Sequence, residues 1–225
     1  IADAGGGTLT NLAASGTVNL TQGGAATVTN TAGWTGTTDA ITVNVGASTS
    51  TGSTGAGTAT LVNAALIETA TINNLALSNN ANARSVGVSS ANLKSLVVTG
   101  NAPTTITGGG VLLASIDASG VSGAVSFAAT ASNTLPAGFS LTTGAAADAL
   151  TGFTGADTLS GGEGNDTLTG GVGADSLTGG SGADTFAYSA NAAGSVVSSQ
   201  AAPDTIVGFV SGTDKISGTG AAVFL

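Results

Sequence analysis

The sequence predicts an all-β chain: a parallel β-solenoid, or β-helix, that continues into a tighter roll. Three observations carry that prediction. Short runs in which apolar residues alternate with Thr, Asn or Ser recur along the chain, no apolar period of the helical kind survives, and from Thr143 the pattern locks onto a strict period of nine. Alternation turns one side of each run inward, and Thr, Val, Asn and Gly are weak helix formers. Runs of this kind, separated by polar turns, stack as rungs that bury their apolar sides against one another.

Three regions follow from the pattern: a Thr/Ala/Gly-rich solenoid over 1–142, a nonapeptide roll over 143–187, and a capping segment over 188–225. In the first, 18–20, 26–29 and 40–45 read as strands bounded by Gly, Ser or Asn. Trp34, the single tryptophan, reads as a core or edge plug, with a binding aromatic as the alternative. Residues 47–57 form a Gly/Ser/Thr loop, either solvated or in contact with another copy. Glu68, entering the strand that leads to Ile72, is a solvated strand-end carboxylate or a functional one. From Ile72 to Thr130 the chain beats at about ten residues. Leu75 and Leu77, Val86 and Val88, Leu96 and Val98, Ile106, Ile116, and Val125 and Phe127 are its apolar positions. Asn79-Asn80, Ser89-Ser90, Gly100-Asn101, Gly108-Gly109-Gly110 and Ser119-Gly120 punctuate them. That is a two-sided solenoid read in half-coils, and because the beat only tightens at Leu141, both regions belong to one continuous stack.

Five nonapeptides run from Thr143 to Ala187. Those at 161–169 (GGEGNDTLT), 170–178 (GGVGADSLT) and 179–187 (GGSGADTFA) are complete, and looser copies begin at Thr143 and Gly152. They place Asp148, Asp157, Asp166, Asp175 and Asp184 in phase, each followed two positions on by Leu150, Leu159, Leu168, Leu177 or Phe186. Glycines at positions one, two and four predict positive φ in a tight turn, and the Asp closes the turn with a hard oxygen. A short strand follows with its middle side chain inward. Two nonapeptides complete a coil, so Asp148, Asp166 and Asp184 stack on one edge and Asp157 and Asp175 on the other.

A calcium ion between stacked turns can take both carboxylates and turn carbonyls, the all-oxygen set calcium prefers. Several Ca2+ ions are therefore expected. The candidate ligands are the five aspartates, the turn residues Gly155, Gly162, Gly164, Asn165, Gly171, Gly173, Gly180 and Gly182, and Asp204 and Asp214 beyond the repeat. Thr143, Ala146 and Phe153 replace glycines of the first two copies, which predicts weaker sites at the turns before Asp148 and Asp157.

These residues resemble the RTX nonapeptide, the GGxGxDxUx repeat of calcium-binding parallel β-rolls. The resemblance covers 45 of 225 residues. Ile67-Glu68-Thr69 leading to Ile72, within an Ala/Thr/Gly/Val-rich, Lys-poor chain, resembles RTX-type bacterial surface-layer (S-layer) proteins. That resemblance implies type I secretion through the C-terminal region and assembly with copies of itself into a two-dimensional lattice at the cell surface. The segments 204–209 and 212–216 look like the closing segment of RTX exoproteins, with Phe186, Ile206, Phe209 and Ile216 plugging the open end.

Composition narrows the function. Charged residues make up 7%, against roughly 25% in an average soluble protein. The net charge of −9 comes from twelve acids and only Arg84, Lys94 and Lys215, with eight of the acids from Asp148 onward. Such a chain suits cations and excludes a nucleic-acid partner, whose phosphates need Lys and Arg. Without His or Cys there is no disulfide, no zinc site of the usual kind, and no Ser-His-Asp or Cys-His catalysis within these residues. No apolar run reaches the length of a membrane helix. The chain opens at Ile1 without Met or signal peptide and is expected to be a segment of something longer. Three functions fit: a calcium-ordered, secreted S-layer subunit without enzymatic activity; the calcium and secretion tail of a larger RTX exoenzyme; and an RTX adhesin or ice-binding stack with Thr rows. Thr27/Thr29 and Thr69/Thr71 suit the last, although the spacing is not expected to repeat from coil to coil.

Overall fold

A computed structural model describes residues 2–3, 8–10, 16–20, 25–29, 40–45, 58–62, 68–74, 84–89, 93–108, 112–128, 138–189 and 202–219. Trp34, the 47–57 segment, Leu75, Leu77 and Asn79-Asn80 lie outside them. The first strands are β1 (Ala2–Asp3), β2 (Thr8–Thr10), β3 (Gly16–Leu20), β4 (Ala25–Thr29), β5 (Ala40–Val45), β6 (Thr58–Val62) and β7 (Thr69–Asn74). Next come β8 (Arg84–Ser89), β9 (Ser95–Gly100), β10 (Thr104–Gly108), β11 (Ser115–Val121), β12 (Val125–Ala128) and β13 (Ser140–Thr142). The roll and the segment after it contribute β14 (Ala149–Thr151), β15 (Thr158–Glu163), β16 (Thr167–Thr169), β17 (Ser176–Ser181), β18 (Thr185–Ser189), β19 (Thr205–Val207) and β20 (Lys215–Thr219).

Odd-numbered strands form one ten-stranded sheet and even-numbered strands the other, in chain order. Each strand therefore pairs in parallel with the strand two further on, and the chain winds from sheet to sheet, one coil per pair of strands. This is the expected parallel solenoid continuing into a roll, with no change of topology at Leu141. Among the described residues there is no helix, and none long and apolar enough to cross a membrane.

The core is two facing columns. In the odd sheet Ile41, Ala70, Leu96, Ile116, Leu141, Leu159, Leu177 and Ile206 are successive partners. In the even sheet Val86, Ile106, Phe127, Leu150, Leu168, Phe186 and Ile216 are. All but Ile206 and Ile216 are buried. Near the start of the roll, Phe127, Phe139 and Phe153 pack ring on ring, with centroids 5.1–5.6 Å apart. The outward side of the odd sheet is a lattice of hydroxyls and amides. Asn73 donates to Asn44 and accepts from Thr99, both at 2.5 Å. Thr69, Ser95, Ser115, Ser140, Thr158, Ser176 and Thr205 form one column in register. Against expectation, a hydroxyl thus recurs from coil to coil in this column. Turns of unequal length take up the difference in residues per coil, with stacked positions of this sheet 20 to 29 residues apart between Asn44 and Ser115 and 18 in the roll.

The segment after the roll departs from expectation. β19 and β20 extend both sheets by one more coil instead of laying a strand across the end. Phe186 is buried and Ile206 partly so; Phe209 sets its ring against Phe186, with centroids 6.1 Å apart, and Ile216 pairs with Phe186, so the four gather at the end of the stack although Phe209 and Ile216 are each 42% exposed. The reason is register: Asp204 and Asp214 accept the backbone N–H groups of Asp175 and Asp184, which pins this segment edge-on to the preceding turns.

Candidate metal-binding columns

Each repeat delivers its Asp to the same place, the corner where a turn enters a strand. There the carboxylate reaches back one coil. Oδ1 of Asp166 accepts the N–H of Asp148 at 2.8 Å, and Oδ1 of Asp184 accepts that of Asp166 at 3.0 Å. Asp214 continues this column below Asp184 at 3.0 Å, and Val125 heads it, donating to Asp148 at 2.7 Å. On the other edge Asp175 accepts from Asp157 at 2.8 Å and Asp204 from Asp175 at 3.0 Å, while Phe139 donates to Asp157 at 3.1 Å. The two expected stacks are therefore present, and each gains one member from the segment after the roll.

These carboxylates are buried, with Asp148, Asp157, Asp166, Asp175 and Asp184 all at 3% exposure or less. Oδ1 is spent on the N–H one coil back. Oδ2 of Asp148, Asp166, Asp175 and Asp184 is buried with no hydrogen-bond partner. A buried anionic oxygen left unpaired costs free energy. Burial raises the carboxyl pKa of Asp148, Asp157 and Asp175 above the ordinary value. It pushes Asp166 up to about 6, assisted by the charges of Asp148 and Asp184.

The glycines divide by role, which corrects one expectation. Positions two and four do have positive φ, as in Gly162 (101°) and Gly164 (123°). Position one does not: Gly152, Gly161, Gly170 and Gly179 lie outside the positive-φ set. They are glycine because the Asp five residues on tucks beneath them, so that a Cβ at Gly161, Gly170 or Gly179 would overlap Oδ2 of Asp166, Asp175 or Asp184. At positions two and four a Cβ would also strike the turn one coil back, Gly180 meeting the Gly162 carbonyl and Gly182 that of Gly164. Gly155, Gly171 and Gly173 lie in the same stacked turns. Asn165 points elsewhere, its Oδ1 accepting the N–H of Ala183 at 2.8 Å.

A hard divalent cation fits this set. Among the described residues no three acidic side chains converge; they are strung one coil apart, so an ion here takes its remaining oxygens from turn carbonyls, as calcium does readily. Residues 151–186 match the family model for the RTX calcium-binding nonapeptide repeat, in four copies. This stretch is made of RTX repeats. Their calcium binding explains why buried carboxylate oxygens are left without protein partners. The copy beginning at Thr143 lies outside the matched range, yet the fold sets Asp148 in the same column. Comparison of the chain with curated proteins and with solved structures finds no match.

Two site features were not read from the sequence. Phe139 heads the Asp157 column, and its signal was present, since it lies eighteen residues before Asp157. Val125 heads the other at a separation of 23, which carries no period.

Proposed function

We propose that this chain is a structural, non-enzymatic component of a bacterial surface layer, secreted through its C-terminal region and ordered outside the cell by several calcium ions. The observation that supports it most is the run of buried, unpartnered aspartate oxygens stacked along the edges of two continuous sheets. Ions between the turns make rigidity conditional on calcium, which suits a chain that must stay unfolded until export. The sparsely charged surface suits repeated contacts between copies, where few like charges need desolvating. The RTX turns and the segment after them supply the ligands: Asp148, Asp166 and Asp184 on one edge, Asp175 and Asp204 on the other, with the turn carbonyls around them, while Asp214 gives both oxygens to backbone N–H groups. Electron microscopy of the purified chain tests the reading. Ordered two-dimensional arrays are expected with calcium and none in chelator; equal behaviour in both conditions would sink it.

A second reading, an adhesin, draws on the column of hydroxyls from Thr69 to Thr205. It predicts calcium-dependent binding of the dispersed chain to a polysaccharide or ice surface without array formation.

A further inference from the structure

The aspartates of the repeats are not equivalent, and the exception among them lies where solenoid meets roll; beyond the repeats Asp214 shares its arrangement, with Oδ1 on the Asp184 N–H and Oδ2 on the Val210 N–H. Asp157 is the one repeat aspartate whose two oxygens both have protein partners. Oδ1 accepts from Phe139 N–H at 3.1 Å and Oδ2 from Phe153 N–H at 2.7 Å. Its carboxylate is turned away from the position its counterparts occupy. A Cβ at Gly152 would meet Asp157 Oδ2 at 2.8 Å, further out than the 2.1–2.3 Å at which one at Gly161, Gly170 or Gly179 would meet the corresponding oxygen. Phe153, at the second glycine position of its repeat, sends its ring into the core against Phe127 and Phe139. On the opposite edge Thr143, at a first glycine position and 2% exposed, donates its hydroxyl to the Gly161 carbonyl one coil on, at 2.8 Å.

From this we propose that the coil over residues 138–157 is closed by protein groups alone, holds no cation at Asp157, and is the template on which the calcium-dependent coils are laid. The aromatic cluster and the Phe153 N–H on Oδ2 do there what an ion does in the next coils. The replacements at Thr143 and Phe153 are then not decayed repeats but the device that joins a cation-independent solenoid to a cation-dependent roll. Ordering runs from this coil toward the C-terminus: each coil that binds calcium presents a finished edge to the next, and the first finished edge needs none.

This inference rests on the calcium reading of the repeat, and one experiment separates the two. Amide hydrogen exchange of the whole chain is followed in saturating calcium and in chelator. Expected is protection of the Phe139 and Phe153 amides, both bonded to Asp157 within this coil, in both conditions, with protection of Val172, Ser176 and Thr185 lost in chelator. Loss at Phe139 and Phe153 together with the rest would overturn the template while leaving the calcium reading intact. Protection throughout in chelator would overturn the calcium reading itself. In Phe153→Gly, which restores the repeat glycine, protection of 138–157 should become calcium-dependent; if it persists in chelator, the aromatic cluster is not what closes this coil. Asp157→Asn should lower the melting temperature equally with and without calcium and leave the number of bound ions unchanged; one ion fewer by calorimetric titration would refute the assignment.

Discussion

A single carboxylate oxygen decides how each aspartate of the roll behaves. Asp166 gives Oδ1 to the backbone and keeps Oδ2 unpartnered, while Asp157 gives both away. Asp166→Ala should therefore remove a calcium-dependent contribution, about 2.7 kcal/mol for one site at a hundredfold excess over its dissociation constant. Melting in calcium should fall toward the chelator value. Asp157→Ala leaves two buried N–H groups without acceptors and should cost about 1–3 kcal/mol for each, with or without the ion. Parallel calcium titrations of melting in the two variants distinguish them. Gly161→Ala should disable the Asp166 position although its backbone is unstrained, because the added methyl occupies the place of Oδ2.

Proton linkage at the same residue gives a dependence opposite to ordinary acid denaturation. The Asp166 carboxyl titrates at about 6 when folded, against 3.8 for the unperturbed group. Between those values the folded, ion-free chain holds more protons than the unfolded one, so its stability falls as pH rises through that window. In chelator the roll should retain more β signal by circular dichroism at pH 5 than at pH 7.5. With calcium the order should reverse, since the ion requires the deprotonated carboxylate.

At the scale of strands and turns, two kinds of rung share one topology. The solenoid rungs are held by side-chain carbon within and by amide and hydroxyl ladders without. Asn73, bonded both to Asn44 and to Thr99, is the middle of such a ladder. Asn73→Ala should cost about 1–3 kcal/mol from the two broken bonds, independently of calcium, as thermal melting in chelator can show. The roll rungs are shorter and bury one Leu or Phe per half-coil, so their turns must carry more of the load. The two heads of the columns mark the change: Val125 and Phe139 occupy, one coil earlier, the corner positions that Asp148 and Asp157 occupy in the roll.

For the whole molecule, stacking in one dimension predicts graded loss of structure. Each coil touches mainly its neighbours, so removing calcium should unravel the roll while the solenoid persists. Chelation is expected to reduce the β signal by circular dichroism only in part, and heating in chelator should then reveal a second, calcium-insensitive transition. A single cooperative transition in both conditions would contradict this picture. β19 and β20 lengthen the stack and cover Phe186, and the last coil leaves Val207, Phe209, Val210 and Ile216 each 42–50% exposed.

The sequence alone determined the class of fold, the nine-residue phase, the two aspartate columns and the inward Leu150, Leu159, Leu168, Leu177 and Phe186, because all of these are periodic and a stacked fold converts period directly into position. It also implied that the cation had to be a hard one, since oxygen is the only ligand atom the roll offers. Tertiary structure alone decided which irregular positions align. Turn length is free to vary in a solenoid while strand register is not, so the column from Thr69 to Thr205 cannot be read by counting residues. It also decided what the departures from the repeat mean. Thr143 and Phe153 look like defects in a list of nines, but packed against Gly161, Phe127 and Phe139 they satisfy buried groups that the neighbouring coils leave to an ion.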